Sequence, residues 1–242
     1  MSWELTHTQS RTHIHTQIRN HANSQQPKTN NHMLSLSAQI LYEDNHLIAI
    51  NKGCGELVQG DKTGDEPLVE KLRAFIKARD GKPGNVFVEV VHRIDRPVSG
   101  VIVFAKTSKA LSRMNRLFHD GEVEKHYWAV VANLPPKDSD KLVHHIVKNK
   151  EKNKSYVYSR SRPGTREAKL TYRLVGSTAN YYFLEVELHT GRHHQIRAQL
   201  ASIGCPIRGD LKYGFPRSNP DGGIHLHSRK IIFMHPVLKQ PI

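Results

Sequence analysis

From residue 38 onward, apolar and polar positions alternate in short runs whose period changes along the chain. "AQILYEDNHLIAINK" reads as a strand, an Asp-Asn turn and a second strand. "EPLVEKLRAFIKAR" places Leu68, Leu72 and Ile76 at helical spacing. "NVFVEVV" and "VIVFAK" are runs of β-formers and predict strands on either side of residues 92–100. In "TSKALSRMNRLFHDG", Thr107 or Ser108 can cap a helix that carries Leu111, Met114, Leu117 and Phe118 on one face. Gly121 supplies its stop. "EVEKHYWAVVANL", "SYVYS", "AKLTYRLV" and "YYFLEVEL" predict further strands. "HHQIRAQLASIG" predicts a short helix with Ile196, Leu200 and Ile203 inward and Gly204 at its end. Strands outnumber helices and several are joined by tight turns. The expected architecture is α+β: a mixed, mainly antiparallel sheet with flanking helices.

The first 33 residues lack this texture. They are rich in His, Thr, Gln and Asn with no sustained apolar period, which predicts a disordered polar tail. Its five histidines are irregularly spaced, so a solvated tail fits better than a metal tract. Residues 34–242 then form the expected folded domain, and Met33 offers an alternative start.

Charge changes the picture. Thirty-six Lys and Arg oppose 22 Asp and Glu, a formal charge of +14. Such an excess points to a polyanionic partner, with nucleic acid first. Residues 148–173 alone hold nine Lys and Arg against two Glu. Cys54 and Cys205 have no CxxC spacing, which fits two reduced thiols in a cytoplasmic protein. No apolar run reaches the roughly 18 residues of a membrane span.

Three stretches could carry chemistry. In "VVHRIDRPVSG", Asp95 stands between Arg93 and Arg96, on a loop stiffened by Pro97 and turned by Gly100. Aspartate ionises well below neutral pH, and adjacent guanidinium groups favour the charged form. Such a carboxylate can be a nucleophile, a base or half of a structural ion pair. In "LHTGRHHQIRAQL", a strand turns at Thr190 and Gly191 into a helix. There His193, His194 and Arg197 are spaced to share a face that could meet a phosphate or a carboxylate. No acid accompanies these histidines, nor His225 and His227, so no metal site is expected. In "EKHYWAVV", Tyr127 shares one strand face with Ala129 and Val131, as a core residue or as a platform on which a base stacks.

Taken together, "HRIDRPVSGVIVFAKT", "EKHYWAVV", "TGRHHQIRAQLASIGCPIRGDLKYG" and "IHLHSRKIIFMHP" resemble an RluA-type RNA pseudouridine synthase, in order, from about residue 40 to the end. The resemblance implies the pseudouridine synthase fold with a central RNA-binding cleft. It also implies isomerisation of uridine to pseudouridine in ribosomal or transfer RNA without cofactor or metal. By this likeness Asp95 is the catalytic aspartate, Arg197 its arginine partner and Tyr127 the tyrosine that stacks on uracil. Arg93 fills the space left by a flipped nucleotide. Arg96, Arg192, His194 and Gln195, in the same motifs, are the remaining candidates for binding substrate.

A monomer is expected. Many family members add an N-terminal S4-type RNA-binding domain, for which residues 1–33 are too short and too polar. The relatives usually continue past "HPVLKQPI" into another strand, so an exposed sheet edge is expected here. Two other readings stay open: an inactive RNA-binding protein on the same fold, and a metal-dependent nuclease. The second would need clustered carboxylates, whereas the acids here are scattered.

Overall fold

A computed structural model describes residues 36–242. The predicted polar tail, residues 1–33, lies outside the described residues. Ten strands among the described residues form one sheet: β1 (Ile40–Glu43), β2 (Leu47–Lys52), β3 (Glu89–Val90), β4 (Ser99–Ala105), β5 (Glu124–Val131), β6 (Ser139–Asn149), β7 (Lys154–Tyr158), β8 (Arg166–Ser177), β9 (Tyr182–Leu188) and β10 (Leu226–Ile232). Their order is β1-β2-β4-β10-β5-β9-β8-β6-β7, with β3 beside β4. Every named pairing is antiparallel except that of β4 with β10. Among the described residues the sheet is flanked by α1 (Leu68–Arg79), α2 (Ser108–Asp120) and α3 (Gln195–Ser202), and residues 36–39 are also helical. The expected α+β class, mixed and mainly antiparallel, is therefore the observed one.

The two halves of the sheet bury their faces differently. On β2 and β4, Ile48, Ile50, Ile102 and Phe104 pack beneath α1. The alternate residues Leu47, Ala49, Val103 and Ala105 pack beneath α2. Both faces are covered, which is why these strands read as continuous apolar runs. On β5 and β9, Tyr127, Ala129, Val131, Leu184 and Val186 pack against α3. Their neighbours on the other face are open, with Trp128 49% and Phe183 39% exposed. Ile94 touches the core under α1 and the core under α3, so the loop carrying Asp95 sits where the halves meet.

Helix α2 is built as its sequence predicts. The Thr107 hydroxyl accepts the Ala110 amide and Gly121 closes the helix at φ 79°. Several expectations need correction. "NVFVEVV" pairs only at Glu89–Val90. Upstream, the Val88 carbonyl accepts two donors from Arg73 of α1, so the segment serves the helix rather than the ladder. Gly100 lies inside β4 rather than in a turn. At φ 112°, a Cβ there would run into the Ser228 backbone of β10, so the parallel pair needs glycine for close approach. The expected open edge near the last residues is absent from the described sheet: β10 is central and the edges are β1 and β7. Ile242 exchanges backbone hydrogen bonds with Phe233.

Candidate active site

The loop between β3 and β4 is fixed before Asp95 does any chemistry. The Asp95 carbonyl accepts the Val98 amide, and the Pro97 carbonyl accepts the Ile224 amide. The Arg96 carbonyl accepts the Gly55 amide. Lys52, 1% exposed, donates through Nζ to the carbonyls of Gly53, Arg96 and Val98 at 2.8, 3.0 and 2.7 Å. Burial pulls this ammonium down to about 8. On the other side of the loop, His92 Nε2 accepts the Val103 amide of β4 at 3.1 Å. Burial pushes its imidazole down to about 3, so the ring is a neutral acceptor. The motif histidine thus ties the loop to its strand.

Arg197 of α3 then meets the loop. Its Nη1 donates to Asp95 Oδ2 at 2.8 Å. Its Nε and Nη2 grip Asp210 Oδ2 and Oδ1 at 2.7 and 2.8 Å. The Arg197 side chain is 6% exposed, Asp210 1% and Asp95 28%. Burial alone would lower the guanidinium, but the hydrogen bonds and charges of Asp210 and Asp95 outweigh it and leave it above its ordinary value. One carboxylate oxygen, Oδ2, is anchored and the other, Oδ1, carries no hydrogen bond among the described residues.

A cleft opens in front of this pair, lined by Arg93, Asp95, Tyr127, Arg192, His194 and Arg197 over an apolar floor of Val98, Leu188, Ile196 and Leu226. Burial pushes the Tyr127 phenol up to about 12; the nearby Ser228 hydroxyl opposes this and the Asp95 charge adds to it. Tyr127 is therefore a neutral ring at pH 7.

The predicted residues are sorted by these contacts. Asp95, Tyr127, Arg197, His194 and Arg93 converge on the cleft. Arg96 does not hold Asp95: its guanidinium reaches the Gly55 carbonyl at 2.9 Å and Asp65 at 2.7 Å. The charge beside Asp95 comes from Arg197, 102 positions away in sequence. Gln195 lines the cleft, but its side chain staples the turn, accepting from Thr190 Oγ1 and the Arg192 amide and donating to the Lys169 carbonyl. Arg192 donates through Nε to the Glu167 carbonyl. His193 and His194 do not share a helical face with Arg197, because α3 begins at Gln195 and His194 caps it in the left-handed region at φ 52°. Sequence reading missed Lys52, Asp210 and Tyr213. Asp210 had a signal: it is the one acid within "GCPIRGDLKYG".

Among solved structures this fold is similar to that titled "Human RNA Pseudouridylate Synthase Domain Containing 4", with TM-score 0.73, 26% identity and coverage of 88% of this chain and 89% of that one. The fold also matches "Human RNA Pseudouridylate Synthase Domain Containing 1" at TM-score 0.65 and 20% identity. Sheet and clamped aspartate loop thus place the chain in the pseudouridine synthase fold class. Residues 46–202 match the sequence pattern described as RNA pseudouridylate synthase, and the chain belongs to that family. It is 32% identical over 215 residues to "Ribosomal large subunit pseudouridine synthase C" of Buchnera aphidicola, covering 85% of this chain and 66% of the relative. It is 33% identical over 224 residues to "tRNA pseudouridine synthase C" of Vibrio cholerae, covering 84% and 88%. The chain spans just under two thirds of the length of the ribosomal relatives it matches.

Proposed function

We propose that this protein isomerises uridine in structured RNA to pseudouridine, with Asp95 as the nucleophile. One observation carries the reading: Asp95, its Oδ2 held by Arg197, lines the same cleft as Tyr127. A stacked uridine cannot reach this carboxylate, so the nucleotide is flipped out of its helix, at a cost of a few kcal/mol. Arg93, exposed at the cleft mouth, is placed to occupy the gap. Asp95 then acts on the sugar at C1′, or takes a proton from it; both routes break the N-glycosidic bond. The uracil turns against Tyr127, C5 bonds to C1′ and the C5 proton leaves. The C5 proton passes to solvent and the freed N1 takes one up, so the product is an isomer of the uridine and no co-reactant is needed.

Tyr127 works in this scheme as a stacking surface. A phenol pushed to about 12 is a poor base at neutral pH. Arg197 keeps the carboxylate oriented through a charge-assisted hydrogen bond. The hairpin of β6 and β7 presents Lys148, Lys150 and Lys152 as exposed cations, and with the +14 net charge they supply the phosphate-tracking surface. The relatives' printed names point to ribosomal or transfer RNA as substrate. The enzyme would work where those RNAs are, in the cytoplasm, as a monomer. No helix among the described residues is long and apolar enough to cross a membrane.

The test is release of tritium from RNA labelled at uridine C5. Wild-type protein is expected to release it and Asp95→Asn to release none while still binding RNA. Turnover by purified Asp95→Asn would sink the assignment, and binding without release by the wild type would favour an inactive RNA-binding protein.

A further inference from the structure

We infer that Tyr213 is a positioning residue for the reaction: its hydroxyl fixes the His194 ring so that Nε2–H faces Asp95. The inference rests on the synthase reading for its catalytic meaning and on local geometry for its structural one. Tyr213 lies in the 3-10 turn Leu211–Tyr213, 19 residues beyond His194, and its ring meets the His194 ring edge-on at 5.7 Å. The Tyr213 hydroxyl accepts the Ser155 backbone N–H at 2.8 Å. It lies 3.0 Å from His194 Nδ1. A hydroxyl that accepts from an amide still has its one proton to donate, and in this assignment it donates that proton to Nδ1. Nδ1 is then an acceptor, and a neutral imidazole accepting at Nδ1 carries its proton at Nε2.

Burial and a neighbouring charge favour the neutral ring. Burial first, and then the Arg197 charge, push the His194 imidazole down to about 2. Its Nε2 is 3.6 Å from Asp95 Oδ2, the oxygen that Arg197 also holds. The ring has little freedom to leave. His193 stacks on it at 3.7 Å and 22°. His193 is itself pinned, since Ser155 Oγ donates to its carbonyl at 2.7 Å. The left-handed backbone at His194, φ 52°, is a conformation that non-glycine residues keep only when their surroundings hold it.

The chemical consequence falls on Oδ2. As Oδ1 bonds to C1′ or takes a proton, charge leaves the carboxylate; as the adduct breaks, charge returns to it. An N–H aimed at Oδ2 from 3.6 Å can close to a hydrogen bond during this cycle, as contacts in unliganded sites often do. Ser155 belongs to β7, so the basic hairpin is tied to the carboxylate through Tyr213 and His194. The Tyr213 ring also lies beneath the Arg197 guanidinium at 5.1 Å. Tyr213→Phe keeps that ring and removes only the hydroxyl.

The test has two arms. The first is nitrogen-15 NMR of the histidine rings, with His194 assigned through His194→Gln. At neutral pH the wild type is expected to show His194 protonated at Nε2 and bare at Nδ1. In Tyr213→Phe the proton should move partly or wholly to Nδ1. A proton on Nδ1 in the wild type, or an unchanged tautomer in Tyr213→Phe, overturns the inference. The second arm is kcat and KM on an RNA that the wild type modifies. Tyr213→Phe should lose about ten-fold in kcat, the worth of one hydrogen bond to a charged group, with KM within about two-fold. The same substitution in a His194→Gln background should have no further effect, because Tyr213 acts through His194. Additive losses would overturn it. The NMR arm needs no RNA, so the absence of any modified RNA counts against the synthase reading alone.

Discussion

Asp210 grips Arg197 more fully than Asp95 does: two hydrogen bonds, of 2.7 and 2.8 Å, against one of 2.8 Å. The fully buried acid sets the plane of the guanidinium, and the half-buried acid uses what remains. Arg197→Met should therefore fail twice. It removes the charge beside Asp95, and it leaves Asp210 buried without a partner, at a cost of about 3–5 kcal/mol. Arg197→Lys keeps charge but not the planar fork, so it should retain a fraction of activity. Urea unfolding and turnover on the same preparations check both. If Arg197→Met is as stable as the wild type, Asp210 is not held in the way described.

Lys52 clamps the catalytic loop from below. Lys52→Met keeps bulk and removes the donors to the Gly53, Arg96 and Val98 carbonyls. The expected loss is about 1–3 kcal/mol for each carbonyl that finds no other donor. Activity should fall more than global stability explains, because two of the clamped carbonyls, Arg96 and Val98, lie within three residues after Asp95. Thermal unfolding beside turnover at a temperature well below the midpoint separates the two. Full activity in a folded Lys52→Met would show the loop to be held by its other bonds alone.

Acid should destabilise the fold well before the carboxylates titrate. His92 is pushed down to about 3 and His194 to about 2 by burial, from 6.5. Below pH 6.5 the unfolded chain takes up protons that the folded rings refuse, so stability falls as pH falls. Each group costs about 1.4 kcal/mol per pH unit through this window, and the loss continues down to the folded values. His193, pushed down to about 4 by burial, adds a third proton over the same range. Unfolding free energies at pH 7, 6 and 5 should decline with a slope approaching three protons from these rings. His92→Gln, which retains an amide near the Val103 N–H, should show roughly two thirds of that slope.

RNA affinity should fall linearly in log Kd against log salt. Lys150→Glu with Lys152→Glu should flatten the slope and leave single-turnover chemistry at saturating RNA nearly unchanged. Lys154 is a worse probe, because its ammonium sits over the Tyr213 ring at 5.1 Å and so touches the site. Filter binding across a salt series gives the slope; an unaltered slope would move the RNA to another surface.

What could be read from sequence followed from local physics. Helix α2 was legible because its cap, its apolar stripe and its stop all lie within 15 residues. β2 and β4 were legible because burial on both faces leaves unbroken apolar runs. Asp95, Tyr127 and Arg197 were found through motif resemblance, and the cleft they line was not inferable from spacing. The arginines beside Asp95 misled, because proximity along a chain says nothing of where a guanidinium turns. Arg96 turns to Asp65. β6 escaped notice because its histidines and lysines interrupt alternation, and its pairing with β8 passes over β7. Lys52 looked like the polar end of a strand; only the folded loop gives its ammonium three carbonyls.

The parallel junction of β4 and β10 has a bearing on when activity can begin. β10 enters between β4 and β5, pressing Ser228 against Gly100, and Ile224, two residues ahead of the strand, anchors Pro97 in the Asp95 loop. It is also the last strand of the sheet to leave the ribosome. The hairpin partners β6, β7, β8 and β9 can pair as they emerge, whereas β4 and β5 share no ladder until β10 joins them. A growing chain thus carries Asp95 and Tyr127 long before it fixes the distance between them. On the proposed function, catalytic competence arrives in one step, when β10 docks, rather than rising with the length of the chain.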